Sequence, residues 1–205
     1  MTITQLRLTK VKDPDKLING LKQHAKEFNR KNFAIFRSLL TPSIFILMTR
    51  YESLSESISQ KIENASSNMQ EKVGGFEMMD NGFYSLMNSN DPENSLKNKF
   101  AVVGEFTIPL ENTSKAMNLL NLQFNSNAEE NFSKGIRRVQ MKKIAGMEVN
   151  KVINYSSFPS LEAAELFLSN TTLSAESGNK ILDLLIPQLS NINRGIFEIV
   201  HTLGE

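Results

Sequence analysis

The sequence predicts an α+β fold built from two successive β-α-β-β-α-β units, and three observations predict it. Apolar residues alternate in short stretches and recur at helical spacing in the stretches between them. The resulting order of elements appears once from Gln5 and again from Val103. A polar stretch, residues 88–99, separates the two occurrences and carries a single Leu among Asn, Ser, Asp, Pro and Lys. The expected organisation is a first unit over residues 1–87, a linker over 88–99 and a second unit over 100–205.

Each element of the first unit has its own signal. Residues 3–11 alternate as a strand, with Leu6 and Leu8 on one face. Asp13-Pro14 opens a helix, because Asp accepts from free N–H groups and Pro is tolerated at the first helical position. Leu17, Leu21, His24, Ala25 and Phe28 follow along that helix. Residues 32–40 and 44–51 read as strands joined at Thr41-Pro42-Ser43. Ser53 and Glu56 have the spacing of a capping box before the stripe Leu54, Ile58, Ile62, Ala65 and Met69. Gly74-Gly75 stops the helix, and residues 82–87 form a short closing strand.

The second unit repeats the order. Residues 100–108 form a strand. A helix from about Asn112 carries Met117, Leu120, Phe124, Ala128 and Phe132 on one face. Residues 135–144 and 149–156 are strands that turn at Ala145-Gly146. Pro159-Ser160 opens a helix with Leu161, Ala164, Phe167 and Leu168. A further helix over 175–186 ends at Pro187, and residues 195–202 close the unit as a strand. Tyr51 pairs with Tyr155 in this reading, and Gly82-Phe83-Tyr84 with Gly195-Ile196-Phe197. A unit of this kind puts its helices on one sheet face. The second copy then covers the other face, making a barrel-like sandwich with a central cavity.

Composition narrows the chemistry. At 205 residues the chain suits two units of about 100 residues each. A net charge of +1 gives no field to attract nucleic acid or an anionic membrane. The absence of cysteine removes disulfides, thiolate metal sites and thiol catalysis. The N-terminal residues lack an apolar signal-peptide core, and no stretch reaches the roughly 18 apolar residues of a membrane span. The expectation is a soluble cytoplasmic protein. Its expected partners are a small apolar molecule and, as an oligomer, a homodimer, with neither nucleic acid nor membrane. P-loop, dinucleotide-fingerprint and nucleophile-elbow spacings are absent.

Lys134 to Leu168 carries a family resemblance. Gly135-Ile136-Arg137-Arg138-Val139, Ala145-Gly146, Val152-Ile153-Asn154-Tyr155-Ser156-Ser157-Phe158 and Ser160-Leu161-Glu162-Ala163-Ala164 resemble an antibiotic-biosynthesis monooxygenase domain, of the dimeric α+β barrel superfamily. The first half resembles it through Met48 to Leu54. The resemblance implies tandem ferredoxin-like units forming an intramolecular α+β barrel. It also implies a cofactor-independent oxygenase acting on a small apolar or aromatic substrate, with no metal or organic cofactor. Asn154 matches the family's Asn, which holds substrate and stabilises the developing anion. Phe158 stands where the family has Trp, and the chain contains no Trp. Arg50 and Leu54 occupy those places in the first half, so the Asn, Trp and His of the haem-degrading relatives are not assembled.

The candidate catalytic residues are therefore Asn154 and His201, the latter in phase with Phe197 and Ile199 on the last strand and suited to moving a proton. Phe158, Arg50 and Arg138 are the candidate substrate-binding residues: a stacking face and two cations for an anionic group. His24 is expected to border the first helix's apolar stripe. With two separated histidines no metal site is expected. The alternative is a non-catalytic module that retains the fold and binds a small ligand or a protein.

Overall fold

In the computed structural model, residues 2–66, 69–91, 98–146, 148, 150–170 and 180–202 are described. The chain forms two compact units, Met1–Ser85 with Ile144–Met147 and Phe197–Glu205, and Leu86–Lys143 with Glu148–Ile196. The hydrogen-bonded strand order is that of a closed barrel, β1-β3-β2-β8-β5-β7-β6-β4, in a mixed α+β fold. The strands are β1 Ile3–Val11, β2 Phe33–Ser38, β3 Ile44–Tyr51, β4 Phe76–Ser89, β5 Phe100–Thr107, β6 Arg137–Gly146, β7 Lys151–Phe158 and β8 Ser190–His201.

In the first unit, β1 pairs antiparallel with β3 and β4, and β2 with β3 and the end of β8. Helix α1, Pro14–Glu27, starts as its sequence dictates: the Asp13 carboxylate accepts from the Lys16 N–H at 3.0 Å, and Pro14 leads the first turn. It buries Leu17, Leu21, His24 and Ala25. With Val73 of α3, Met69–Val73, these leucines cover Val11, Ile35, Phe45 and Leu47 of the sheet. Gly20 lets α1 approach α3 closely, since a Cβ there would meet the Lys72 carbonyl. Helix α2, Leu54–Ser66, begins at a capping box in which Ser53 Oγ accepts from the Glu56 N–H at 3.2 Å. The Glu56 carboxylate reaches the Glu52 N–H, one residue earlier than the usual partner. Leu54 and Ile58 are exposed rather than buried, and Ser57 takes the inward place. The side chains of Ile62, Ala65 and Met69 lie outside the described residues.

In the second unit, β5 and β6 both pair antiparallel with β7. The long helix expected after Asn112 is two helices, α4 Thr113–Asn125 and α5 Ala128–Ser133, and Phe132 is exposed. Ala116 and Leu120 of α4 join Leu182 and Leu185 of α7, Lys180–Leu185, against Phe106, Ile108 and Val152. Ala164 of α6, Leu161–Asn170, packs on Val102, Ile136 and Phe158. Ser160 Oγ caps α6 by accepting from the Ala163 N–H at 3.2 Å. The expected start of the 175–186 helix, the linker core 92–97 and Val149 lie outside the described residues.

Several strands depart from expectation: β2 is Phe33–Ser38 rather than 32–40, and β6 is Arg137–Gly146 rather than 135–144, so that Ala145-Gly146 end the strand. β4 begins at Phe76, six residues before the expected Gly82, and runs on to Ser89 into the polar stretch. β8 begins at Ser190, directly after a 3-10 turn at Ile186–Gln188. β7 extends to Phe158. The pairing of Tyr51 with Tyr155 also fails on register. Tyr51 lies opposite Ile3, on the face that carries Leu47 and the helices. Tyr155 lies opposite Val103, on the face away from Val152 and its helices. A one-residue slip reverses every side chain in a strand. Among the described residues no helix is long and apolar enough to cross a membrane.

Candidate functional site

The second unit holds a cavity of about 80 Å³ between its sheet and helices α4, α6 and α7. At roughly 10–15 Å³ for each water, the space suits about five to eight waters. Register explains which side chains line it. Val152 faces the helices, so Asn154 and Ser156 do too, two and four residues on. Gly104 and Val102 lie opposite them on β5, and Gln140 and Arg138 on β6. Gly104 carries no side chain, which leaves space beside Asn154.

Arg138 is the strongest electrostatic feature of the cavity. Its backbone N–H is held by Asn90 Oδ1 at 2.6 Å. Its guanidinium donates to Asn127 Oδ1 at 2.5 Å and Gln123 Oε1 at 3.1 Å, and lies 5.1 Å from the Phe124 ring centroid. The side chain is 4% exposed, and these partners are uncharged. Burial accordingly lowers its pKa to about 10. Among the described residues no Asp or Glu lines the cavity, whose lining also includes Arg194. Asn154 Oδ1 is buried there without a hydrogen-bond partner. Gln140, opposite Asn154, accepts from Asn88 Nδ2 at 2.9 Å while its own Nε2 is buried and unpartnered. The walls are otherwise apolar, with Phe106, Leu120, Phe167, Leu182 and Leu185 among them. The arrangement sets a buried cation and unpartnered polar atoms against apolar walls.

Phe158 is fully buried in the core behind this cavity, with its ring 5.0 Å from that of Phe167, which does line it. Arg137 faces the other way, over the Phe132 ring at 4.0 Å. His201 belongs to the first unit, where it stacks on Phe33 at 4.3 Å between centroids, and it is not among the residues lining the second unit's cavity. Arg50, half-buried on β3, exchanges backbone contacts with Asn32: its N–H donates to the Asn32 carbonyl at 2.7 Å, and its carbonyl accepts from Asn32 Nδ2 at 2.5 Å. Asn154 and Arg138 are thus the two sequence candidates that one cavity brings together. Gln123, Gln140 and Arg194 escaped sequence reading, because polar residues of helices and strand ends are usually solvated.

The first unit has a second, smaller cavity, of about 50 Å³, lined by Arg7, His24, Arg30 and Tyr51. His24 is only 4% exposed, so it is an interior residue of this unit rather than a border residue. Arg7 Nη2 donates to Thr49 Oγ1 at 3.0 Å, and Tyr51 Oη donates to Gln5 Oε1 at 3.1 Å. Burial lowers the Arg7 pKa and raises that of Tyr51.

Sequence comparison finds no matching family model and no matching curated protein. Structural comparison does find relatives of the fold. An anthrone oxidase-like protein is 14% identical, with a TM-score of 0.69 over 100% of this chain and 94% of its own. A presumed monooxygenase from Fusobacterium nucleatum is 10% identical, with a TM-score of 0.72 over 100% and 94%. A presumed monooxygenase from Lactobacillus acidophilus is 6% identical, with a TM-score of 0.68 over 99% and 96%. At these identities the likeness is one of fold, and the chain shares the α+β fold of these monooxygenase-like proteins.

Proposed function

We propose that the protein is an oxygenase of compact phenols and that its site is the cavity of the second unit. The observation that carries this reading is Arg138: a buried cation with uncharged partners, lining an otherwise apolar cavity beside an unpartnered Asn154 oxygen. A charge so placed lacks a counter-ion among the described residues, and a substrate phenolate supplies one. The fold shared with an anthrone oxidase-like protein supports the same class of chemistry. Anthrones have three fused rings and the cavity is small, so the substrate proposed is a single-ring phenol with an unsubstituted para carbon, seated by outward movement of the apolar walls. The two β-α-β-β-α-β successions, with strand orders β4-β1-β3-β2 and β8-β5-β7-β6, support reading the chain as tandem ferredoxin-like units.

The roles follow from the geometry. Arg138 holds the phenolate oxygen and lowers the substrate's pKa by its charge, so the electron-rich anion is the bound form. Asn154 accepts from a second polar group of the substrate or donates to the developing oxyanion, fixing the ring's orientation. The apolar walls exclude water from the reacting carbon. Oxygen then attacks the para carbon. One oxygen atom stays there as the carbonyl of a quinone. The ring C–H proton and the phenol proton leave with the other atom as water, so one phenol and one O2 give one quinone and one water.

The test is oxygen uptake with a panel of single-ring phenols, followed by mass spectrometry under labelled oxygen. The expected result is one O2 consumed per phenol and one labelled atom in the quinone. Arg138→Met should reduce kcat/KM by about 100-fold or more, as loss of an oxyanion partner does. Tight phenol binding with no oxygen uptake would support the ligand-binding alternative instead.

A further inference from the structure

We propose that the cavity of the first unit is a separate binding site for a small organic monocarboxylate, seated on Arg7. Nothing in the oxygenase reading uses this cavity. Its polar half holds three basic side chains, Arg7, His24 and Arg30, beside Tyr51 and Thr49. Among the described residues no Asp or Glu lines it; the nearby Glu27 carboxylate is committed to Lys72 at 2.5 Å, and Glu56, whose charge acts on Tyr51, accepts from the Glu52 N–H. Arg7 comes from β1, on the face that carries Leu47 opposite it. Only its Nη2 is engaged, with Thr49, while its Nε–H is buried and unpartnered. A guanidinium anchored by one nitrogen, with Nε still unused, suits the two oxygens of a carboxylate.

The other half of the cavity selects the rest of the ligand. Leu21, Ala25, Phe33 and Leu47 form an apolar wall. Inorganic phosphate would leave that wall without a partner and strip more hydration from a more highly charged ion. A monocarboxylate with a short aliphatic body satisfies both halves. A neutral ligand of the same shape would leave Arg7 without a counter-charge.

The experiment is calorimetric titration of the full chain with propionate, a body short enough for a cavity of about 50 Å³, with propionamide as its neutral isostere and inorganic phosphate as the ion without an apolar body. It is run on the Arg138→Met chain, which removes one of the two arginines lining the second unit's cavity, Arg194 being the other. Propionate is expected to bind, propionamide and phosphate to bind at least tenfold more weakly, and Arg7→Met to weaken propionate at least tenfold. A nuclear magnetic resonance titration of the unsubstituted chain gives an independent location: propionate should shift the Tyr51 and His24 ring signals. The proposal is overturned by absence of propionate binding, by equal binding of phosphate or propionamide, by an Arg7→Met affinity within threefold of its parent, or by unmoved Tyr51 and His24 signals. None of these outcomes bears on oxygen uptake in the second unit.

Discussion

Arg137 and Arg138 are adjacent in sequence and opposite in consequence. Arg137 covers the Phe132 ring at the surface, and Arg138 is buried beside Asn127 and Gln123. The burial has a thermodynamic sign. An arginine whose folded pKa is lowered to about 10 binds its proton less well when folded. Stability is therefore lost as pH falls from the ordinary arginine range to about 10, and the full cost, on the order of 3 kcal/mol before hydrogen bonds offset it, is present at neutral pH. Arg138→Met removes that cost while filling similar volume. It is expected to leave the melting temperature unchanged or raise it, even as it lowers kcat/KM by about 100-fold or more. A thermal melt checks this: a loss above about 2 kcal/mol would mean that Arg138 holds the fold together rather than a ligand.

Helix starts and close contacts carry the predictions at the element scale. Ser53 and Ser160 each cap the helix that follows, through the N–H three residues on. Ser160→Ala should destabilise by about 1 kcal/mol, read as a shift in urea midpoint with unchanged slope. Gly20→Ala tests packing instead, because its new methyl would press on the Lys72 carbonyl between α1 and α3. Backbone must move to relieve that, so a loss of about 1–3 kcal/mol is expected, well beyond the small gain in helix propensity. An unchanged midpoint for Gly20→Ala would show that α3 shifts freely. The serines were legible from spacing. The demand for glycine at residue 20 was not, because the partner carbonyl is some fifty residues away in the chain.

β4, β6 and β8 each contribute residues to both units. The end of β8 pairs with β2 and buries Phe197 and Ile199 in the first unit. Truncation after Ile196 should therefore destabilise a unit whose β1, β2 and β3 lie more than a hundred residues earlier. Two buried apolar side chains at roughly 1.5–3 kcal/mol each give a loss of about 3–6 kcal/mol. Denaturant unfolding followed by Tyr51 fluorescence, against a Tyr51→Phe control, would detect it. An unaltered transition would mean that β2 needs no partner there.

The sequence by itself determined the order and kind of the elements, because alternation, helical spacing and capping residues such as Asp13, Ser53 and Ser160 act over a few residues. It also singled out Asn154 and Arg138. Tertiary structure alone decided what those residues face. Strand parity put Asn154 and Arg138 toward the helices, turned Tyr155 away from the face that Tyr51 uses, and moved His201 into a stack with Phe33. It also placed Arg7, a charge in an ordinary alternating strand, in a cavity with His24 and Tyr51. Local signals specify a strand with a tolerance of one or two residues at its ends. A side chain's face changes with every residue, so only the hydrogen-bonded register between distant strands fixes it.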